Sequence, residues 1–213
     1  MSKKVILDSG EDIGSIHSRF HSRGYLPHCE FSLEPQMLTF NLHDSIPQPV
    51  LTVLTEELDI LRRLEQQTKR CTKIEDLLDR GLGSCALSDP SIAQITEQAM
   101  GFFDEQRYKL HAWVIMPNHV HVLLTPKKEH SIASIVHSWK SFTSNRANKI
   151  LGRSGAFWQR EYFDRKIRND KHFEDALNYI HNNPVKAGLC VSPELWMFSS
   201  ASASSKLRED AKK

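Results

Sequence analysis

The stretch Tyr108-Lys109-Leu110-His111-Ala112-Trp113-Val114-Ile115-Met116-Pro117-Asn118-His119-Val120-His121-Val122-Leu123-Leu124-Thr125 decides the fold. Residues 108–116 read as a strand, Pro117-Asn118 is turn chemistry, and residues 119–125 read as a second strand, so the two form a hairpin. Strand side chains alternate between faces, so His119 and His121 project from one side while Val120 and Val122 project from the other. Two imidazoles on one face of a rigid strand can share a divalent cation and leave positions open for a substrate oxygen. With eleven histidines in 213 residues, chance alone supplies about half of one such spacing, so the pair needs a structural context. The competing reading is a polar strand face exposed to water, with His111 as another member.

Working outward from the hairpin, Ser131 can cap a helix that buries Ile132, Ile135, Val136, Trp139 and Phe142. Its other faces carry His137, Lys140, Ser144, Arg146 and Lys149, and Gly152 and Gly155 break it. Residues 157–167 are aromatic-rich and strand-like. Asn169 or Asp170 then caps a last helix with Phe173, Leu177 and Ile180 inward, and Pro184 is expected to stop it. Before the hairpin, residues 91–106 read as a helix with Ser88, Asp89 or Ser91 as cap and Pro90 at its start. Residues 36–42 alternate as a strand that ends at Pro47-Gln48-Pro49. Between them, Leu51, Leu54, Leu58, Leu61 and Leu64 recur at helical spacing.

The order strand, helices, strand, strand, helix, strand is that of a ferredoxin-like split βαβ fold, in the α+β class. It predicts a four-stranded antiparallel sheet with helices on one face, the other face free for a ligand, and an added C-terminal helix carrying Tyr179. The domain reading is a loosely ordered arm at 1–34, one catalytic domain at 35–200 that includes a helical segment at 50–107, and a flexible tail at 201–213.

Composition narrows the class. The chain is 39% hydrophobic and 25% charged, ordinary for a globular protein, and it has no apolar run long enough to span a bilayer. The N-terminus lacks the apolar stretch of a signal peptide. Cys29, Cys71, Cys85 and Cys190 form no CxxC pair, which argues against a zinc knuckle and for reduced thiols in a cytoplasm. Charge is uneven. Residues 131–186 hold ten Lys/Arg against five Asp/Glu, whereas residues 51–107 hold seven against eleven. A phosphate-rich partner would therefore meet the C-terminal half.

Tyr179 and Asn183 lie four apart and so share one helix face, expected to turn away from the Phe173, Leu177 and Ile180 stripe. A tyrosine hydroxyl can attack a phosphodiester to give a covalent phosphotyrosine. An asparagine amide oxygen is a suitable hard ligand for Mg²⁺ or Mn²⁺ beside the two histidines. Each residue also has a structural alternative: Tyr179 packed at a helix–sheet boundary, and Asn183 as a C-terminal cap before Pro184. Tyr25, Tyr108 and Tyr162 bring no ligand-capable side chain one turn away.

The segment from His111 to Leu123, Phe157-Trp158-Gln159-Arg160-Glu161-Tyr162-Phe163-Asp164-Arg165, and Tyr179-Ile180-His181-Asn182-Asn183-Pro184-Val185-Lys186-Ala187-Gly188 resemble the REP-associated tyrosine transposases. These belong to the HUH single-tyrosine superfamily, and the resemblance runs from about residue 25 to residue 199. It implies that His119 and His121 bind the metal, Tyr179 is the nucleophile and Asn183 is the third ligand. It also implies nicking of single-stranded DNA beside palindromic hairpin repeats, through a 5′-phosphotyrosine and a free 3′-hydroxyl, with rejoining by reversal. The cofactor would be Mg²⁺ or Mn²⁺ with no nucleotide, and the protein a monomer or homodimer. The long acidic helical segment at 56–106 is bulkier than in the smallest relatives.

Lys140, Arg146, Lys149, Arg160, Arg165, Lys166, Arg168 and Lys186 are candidate phosphate contacts. Trp158, Tyr162 and Phe163 are candidate base-stacking faces, although Trp158 suits core packing as well. Two other functions compete with the DNA-cleaving one. An RRM-type binding module would place aromatics where His119 and His121 stand, and a zinc hydrolase would want a third His, Cys or carboxylate.

Overall fold

The structure, a computed structural model, describes residues 33–46 and 76–202 together with the backbone of residues 20–22 and 27–29. Strands β1 (Phe20–Ser22) and β2 (Pro27–Cys29) pair antiparallel, so the arm read as loosely ordered contains a short ladder. The rest of that arm and the helix expected over 50–75 lie outside the described residues, apart from a helical turn at 76–79.

The main elements are β3 (Gln36–Asn41), α1 (Pro90–Gly101), β4 (Tyr108–Ile115), β5 (His119–Pro126), α2 (Ile132–Ile150), β6 (Phe163–Lys166) and α3 (Asp170–Lys186). The strand order is β4-β5-β3-β6, and every neighbouring pair is antiparallel. This is the split βαβ arrangement expected from the element order. The caps come from the residues that capping chemistry favours. Asp89 accepts from Ser91 N with Pro90 at the first helical position, Ser131 accepts from Ser134 N, and Asn169 accepts from His172 N.

The sheet is covered on both faces. Leu38, Phe40, Trp113, Ile115, Val120, Val122 and Leu124 pack against α1 and α2. Met37, Ala112, Val114, Met116 and Leu123 pack against Ala176 and Ile180 of α3. The face expected to lie open is therefore roofed by α3, which also removes the exposed sheet surface an RRM-type module would need.

Several local expectations are corrected. Helix α1 ends at Gly101 rather than at 106, because Asp104 Oδ1 accepts from Glu105 N and Leu110 N and turns the chain into β4. In α2, Thr143 takes the inward place expected for Phe142, which is 41% exposed. The strand expected over 157–167 is interrupted: Phe163–Lys166 forms β6, and before it only an isolated antiparallel bridge from Trp158 to Leu42 continues the pairing, with the Phe157 and Trp158 side chains in the core. Trp158 donates Nε1 to Thr143 Oγ1 at 2.7 Å and meets Phe40 edge-on at 5.0 Å.

Pro184 does not stop α3; it lies inside the last turn. The helix ends at a Schellman closure, in which Gly188 N donates to Val185 O and Leu189 N to Pro184 O. Gly188 sits at φ +70°, a backbone region that glycine enters without a Cβ clash. Beyond α3, residues 198–200 run beside β4. Ile115 N donates to Phe198 O, and Ser200 N to Trp113 O. Ala201 and Ser202, the first two residues of the tail expected at 201–213, are buried, and the rest of it lies outside the described residues.

Candidate active site

Alternation along β5 sends His119 and His121 to the α3 side, and both are fully buried. Each ring is fixed through its Nδ1. His119 Nδ1 lies 2.7 Å from Asn118 Oδ1, and His121 Nδ1 lies 2.8 Å from Thr39 Oγ1 on the neighbouring strand. The opposite nitrogens converge, with Nε2 to Nε2 at 3.1 Å.

This geometry constrains the protons. The Asn118 amide nitrogen donates to Leu82 O at 3.0 Å, so its oxygen is the acceptor and His119 carries its proton on Nδ1. His119 Nε2 is then a bare lone pair. Thr39 can donate to His121 Nδ1, in which case His121 Nε2–H points at His119. With the hydroxyl turned, Thr39 accepts from Nδ1–H instead, and two lone pairs face one point. The second arrangement is that of two imidazoles on one cation, with outer partners setting the tautomer. Protonation is disfavoured at both rings. Burial first, then His121 and Lys186, hold His119 well below the usual imidazole range, and burial followed by Lys186 lowers His121 to about 3.

Helix α3 lays Tyr179 against this pair, its ring meeting the His121 ring at 5.4 Å and 77°. Tyr179 was expected on a face turned away from the apolar stripe, but it packs in the same cluster as Phe173, Leu177 and Ile180. At about 100° per residue, Asn183 falls about 60° from Ile180 and about 20° from Ala176, so stripe and site form one continuous arc. Asn183 is 1% exposed, and among the described residues neither atom of its amide has a hydrogen-bond partner. It is not a cap, since the helix ends at Ala187. A buried amide with both ends unmet is costly unless something meets it, and its oxygen suits the same hard cation as the imidazoles.

The other candidates separate. Tyr108 is excluded as a nucleophile, because its hydroxyl donates to Met100 O at 2.7 Å and burial pushes it up to about 12. Tyr162 is buried in the α1/α2 core and Tyr25 lies outside the described residues. His111 sits at a bulge in β4, bonded to Thr125 Oγ1 at 2.8 Å and edge-on to Phe173. Lys140 Nζ donates to the carbonyls of Gln159, Glu161 and Arg160, three acceptors for its three protons, which takes it out of the phosphate contacts. Lys186 is bound to Asp79 at 2.8 Å and lies 3.7 Å from Asp76. Arg146, Arg160, Arg165 and Arg168 are exposed. Arg165 pairs with Met37 and so shares the α3 face with the site, whereas Arg146 is on α2, behind the sheet. Trp158 and Tyr162 are core residues rather than stacking faces.

Three residues of this environment escaped the sequence reading. Asn118 reads in the sequence as turn chemistry alone, and its one local signal is that it is a polar residue directly before His119. Thr39 is 82 positions from His121 and visible only once β3 and β5 pair. Asp79 Oδ1 lies 3.8 Å from His119 Nε2, brought there by the helical turn at 76–79.

Residues 86–183 match the family described as Transposase IS200 like, a span that contains His119, His121, Tyr179 and Asn183. A REP-associated tyrosine transposase of Escherichia coli (strain K12) is 30% identical over 100 residues, which are 45% of this chain and 55% of the relative. A protein of Haemophilus influenzae, described as a REP-associated tyrosine transposase by similarity, is 31% identical over 96 residues, 40% of this chain and 54% of the relative. The chain thus spans about half the length of these curated relatives. A solved REP-associated tyrosine transposase bound to a REP hairpin shares the fold, with a TM-score of 0.51 and 20% identity over 91% of this chain and 86% of that one. Residues 86–183 are thus similar to the family described as Transposase IS200 like, and about half of the chain is similar to REP-associated tyrosine transposases.

Proposed function

We propose that this protein is a metal-dependent single-stranded DNA endonuclease and strand transferase that acts beside palindromic hairpin repeats through Tyr179. One observation carries the reading: His119 and His121 converge at 3.1 Å with their far nitrogens already held, and the Tyr179 ring lies against His121. His119, His121 and Asn183 would hold Mg²⁺ or Mn²⁺, with no nucleotide cofactor. When bound, the ion supplies Lewis acidity at a non-bridging phosphate oxygen.

The chain's own residues do the rest. The Tyr179 oxygen attacks the phosphorus, one P–O bond forms and the bond to the 3′ oxygen breaks. The products are a 5′-phosphotyrosine and a 3′-hydroxyl, and the phenol proton is balanced by the one the leaving oxygen gains. No electrons are transferred, so the reverse attack by a 3′-hydroxyl rejoins the strand. Rigid placement of Tyr179 on a helix packed to the sheet favours in-line attack by limiting the nucleophile's freedom. Arg165 and Arg168 are the proposed backbone phosphate contacts nearest the α3 face, with Arg146 and Arg160 further from the site.

The experiment is incubation with labelled, hairpin-flanked single-stranded DNA and Mn²⁺, followed by a denaturing gel. A covalent adduct that requires Tyr179, both histidines and a single-stranded substrate is expected. An adduct that persists in Tyr179→Phe removes the nucleophile assignment, and equal cleavage of duplex DNA removes the substrate class.

A further inference from the structure

Three of the donors assigned above, two imidazoles and an amide, are neutral. Mg²⁺ and Mn²⁺ are hard ions that favour anionic oxygen, and the Lys186 ammonium stands beside the pair, 2.8 Å from the carboxylate that borders His119. A neutral donor set facing a lysine is a poor home for a dication. Asp79 answers both problems. Its side chain is 11% exposed, its Oδ2 takes the Lys186 ammonium at 2.8 Å, and its Oδ1 is buried with no hydrogen-bond donor. That Oδ1 stands 3.8 Å from His119 Nε2.

We propose that Asp79 is the anionic oxygen ligand of the His119/His121 cation site, and that Lys186 holds its carboxylate in place through the other oxygen. The inference rests on the reading of the two histidines as metal ligands. Donors about 2.1 Å from one octahedral ion stand about 3.0 Å apart when adjacent and about 4.2 Å when opposite. The 3.1 Å between the imidazoles matches adjacent donors, and the 3.8 Å from His119 to Asp79 lies between the two values. Among the described residues no three His, Cys, Asp or Glu side chains yet close around one point. Asp79 flanks the His119 side of the pair, with Oδ1 toward His119 and Oδ2 on Lys186.

The chain around Asp79 is built to keep it there. Leu78 is buried against Ile46, with Leu77 and Phe163 packed on the pair. Gly83, at φ +88°, passes so close to the loop before it that a Cβ would stand 2.5 Å from Asp44 O. Asn118 ties the two ligands together, since its amide nitrogen donates to Leu82 O while its oxygen orients His119. The same amide therefore positions the histidine and the segment that brings the carboxylate.

Mn²⁺ binding to the full chain, followed by the loss of free-ion electron paramagnetic resonance signal without DNA, tests this. Asp79→Asn is expected to weaken binding by about tenfold or more, as for loss of a ligand or its close support, while Asp76→Asn, at the exposed partner of Lys186, leaves it unchanged. Binding by Asp79→Asn equal to wild type, with binding lost in His119→Ala/His121→Ala, overturns the Asp79 assignment and leaves the histidine site standing. No histidine-dependent binding in wild type overturns both. Asp79→Cys covers the case in which Asp79→Asn fails to fold. Cd²⁺ added to Asp79→Cys should raise a thiolate-to-metal absorption band over wild type that vanishes on further replacement of the histidines, and absence of that band overturns the proposal.

Discussion

Under α1 and α2, nearly every polar atom of the sheet face is spoken for. Tyr108 Oη donates to Met100 O and accepts from Trp139 Nε1 at 3.0 Å, Trp158 Nε1 meets Thr143, and Thr143 in turn donates to Trp139 O. Gln36, next to this face, is the exception, its buried amide unmet. Under α3 the order is reversed. Two imidazole nitrogens converge on each other, and the Asn183 amide and Asp79 Oδ1 are buried without hydrogen-bond partners. One face is closed in the way that gives a stable core. The other carries the unmet polarity found where a protein trades stability for a site.

That contrast can be broken at several points. The largest effect is expected from Tyr179→Phe, which should abolish covalent adduct formation on a denaturing gel while circular dichroism stays native; a persisting adduct would place the nucleophile elsewhere. On the other face, Trp139→Ala should cost about 3–5 kcal/mol in urea unfolding, yet leave adduct yield per folded molecule intact. If it removed activity without loss of stability, the division between faces would be wrong. Thr39→Val takes away the hydroxyl that sets the His121 tautomer and should weaken Mn²⁺ binding by about 10- to 100-fold, with secondary structure unchanged.

Asn183→Leu sharpens the comparison from the other direction. Removing a buried, unmet amide should leave the metal-free protein equal or higher in stability, by up to about 1–2 kcal/mol in urea unfolding, while Mn²⁺ affinity falls. The last test is in pH. Both histidines are held below their unfolded value of about 6.5, so only the unfolded chain gains protons there as the medium becomes acidic. The metal-free protein should therefore keep full stability above about pH 6.5 and lose it progressively toward the value of about 3 at His121. His121→Phe should flatten that slope in urea titrations; an unchanged slope would show that other groups set it.

Local periodicity made the hairpin, the His119/His121 pair and the Tyr179/Asn183 spacing legible, because strand alternation and helix repeat act over a few residues. What could not be read depends on long-range pairing. Thr39 reaches His121 only across β3 and β5, and Asp79 reaches His119 only after the chain has turned at Gly83. Pro184 misled because its missing N–H falls in a last turn that is closed from Gly188 and Leu189 instead. The aromatic run at 157–167 looked like a strand because rings favour strands and cores alike, and two of them went to the core. Lys140 shows the same limit for charge, since three carbonyls folded around its ammonium turn a surface cation into a structural one.

The segment at 198–200 has a bearing on association that its hydrogen bonds do not at first suggest. Strand β4 is an outer strand, and its free side carries the N–H and C=O of Trp113 and Ile115. Phe198, Ser200 and the Trp196 indole occupy those groups, with Trp196 Nε1 donating to Ile115 O at 2.9 Å. Ser200 Oγ also lies 2.9 Å from His181 Nε2, fastening the segment to α3. A chain cut after α3 would present an open, apolar strand edge to other molecules, and such edges recruit further strands. The crossing at residues 198–200 thus acts as a guard against aggregation.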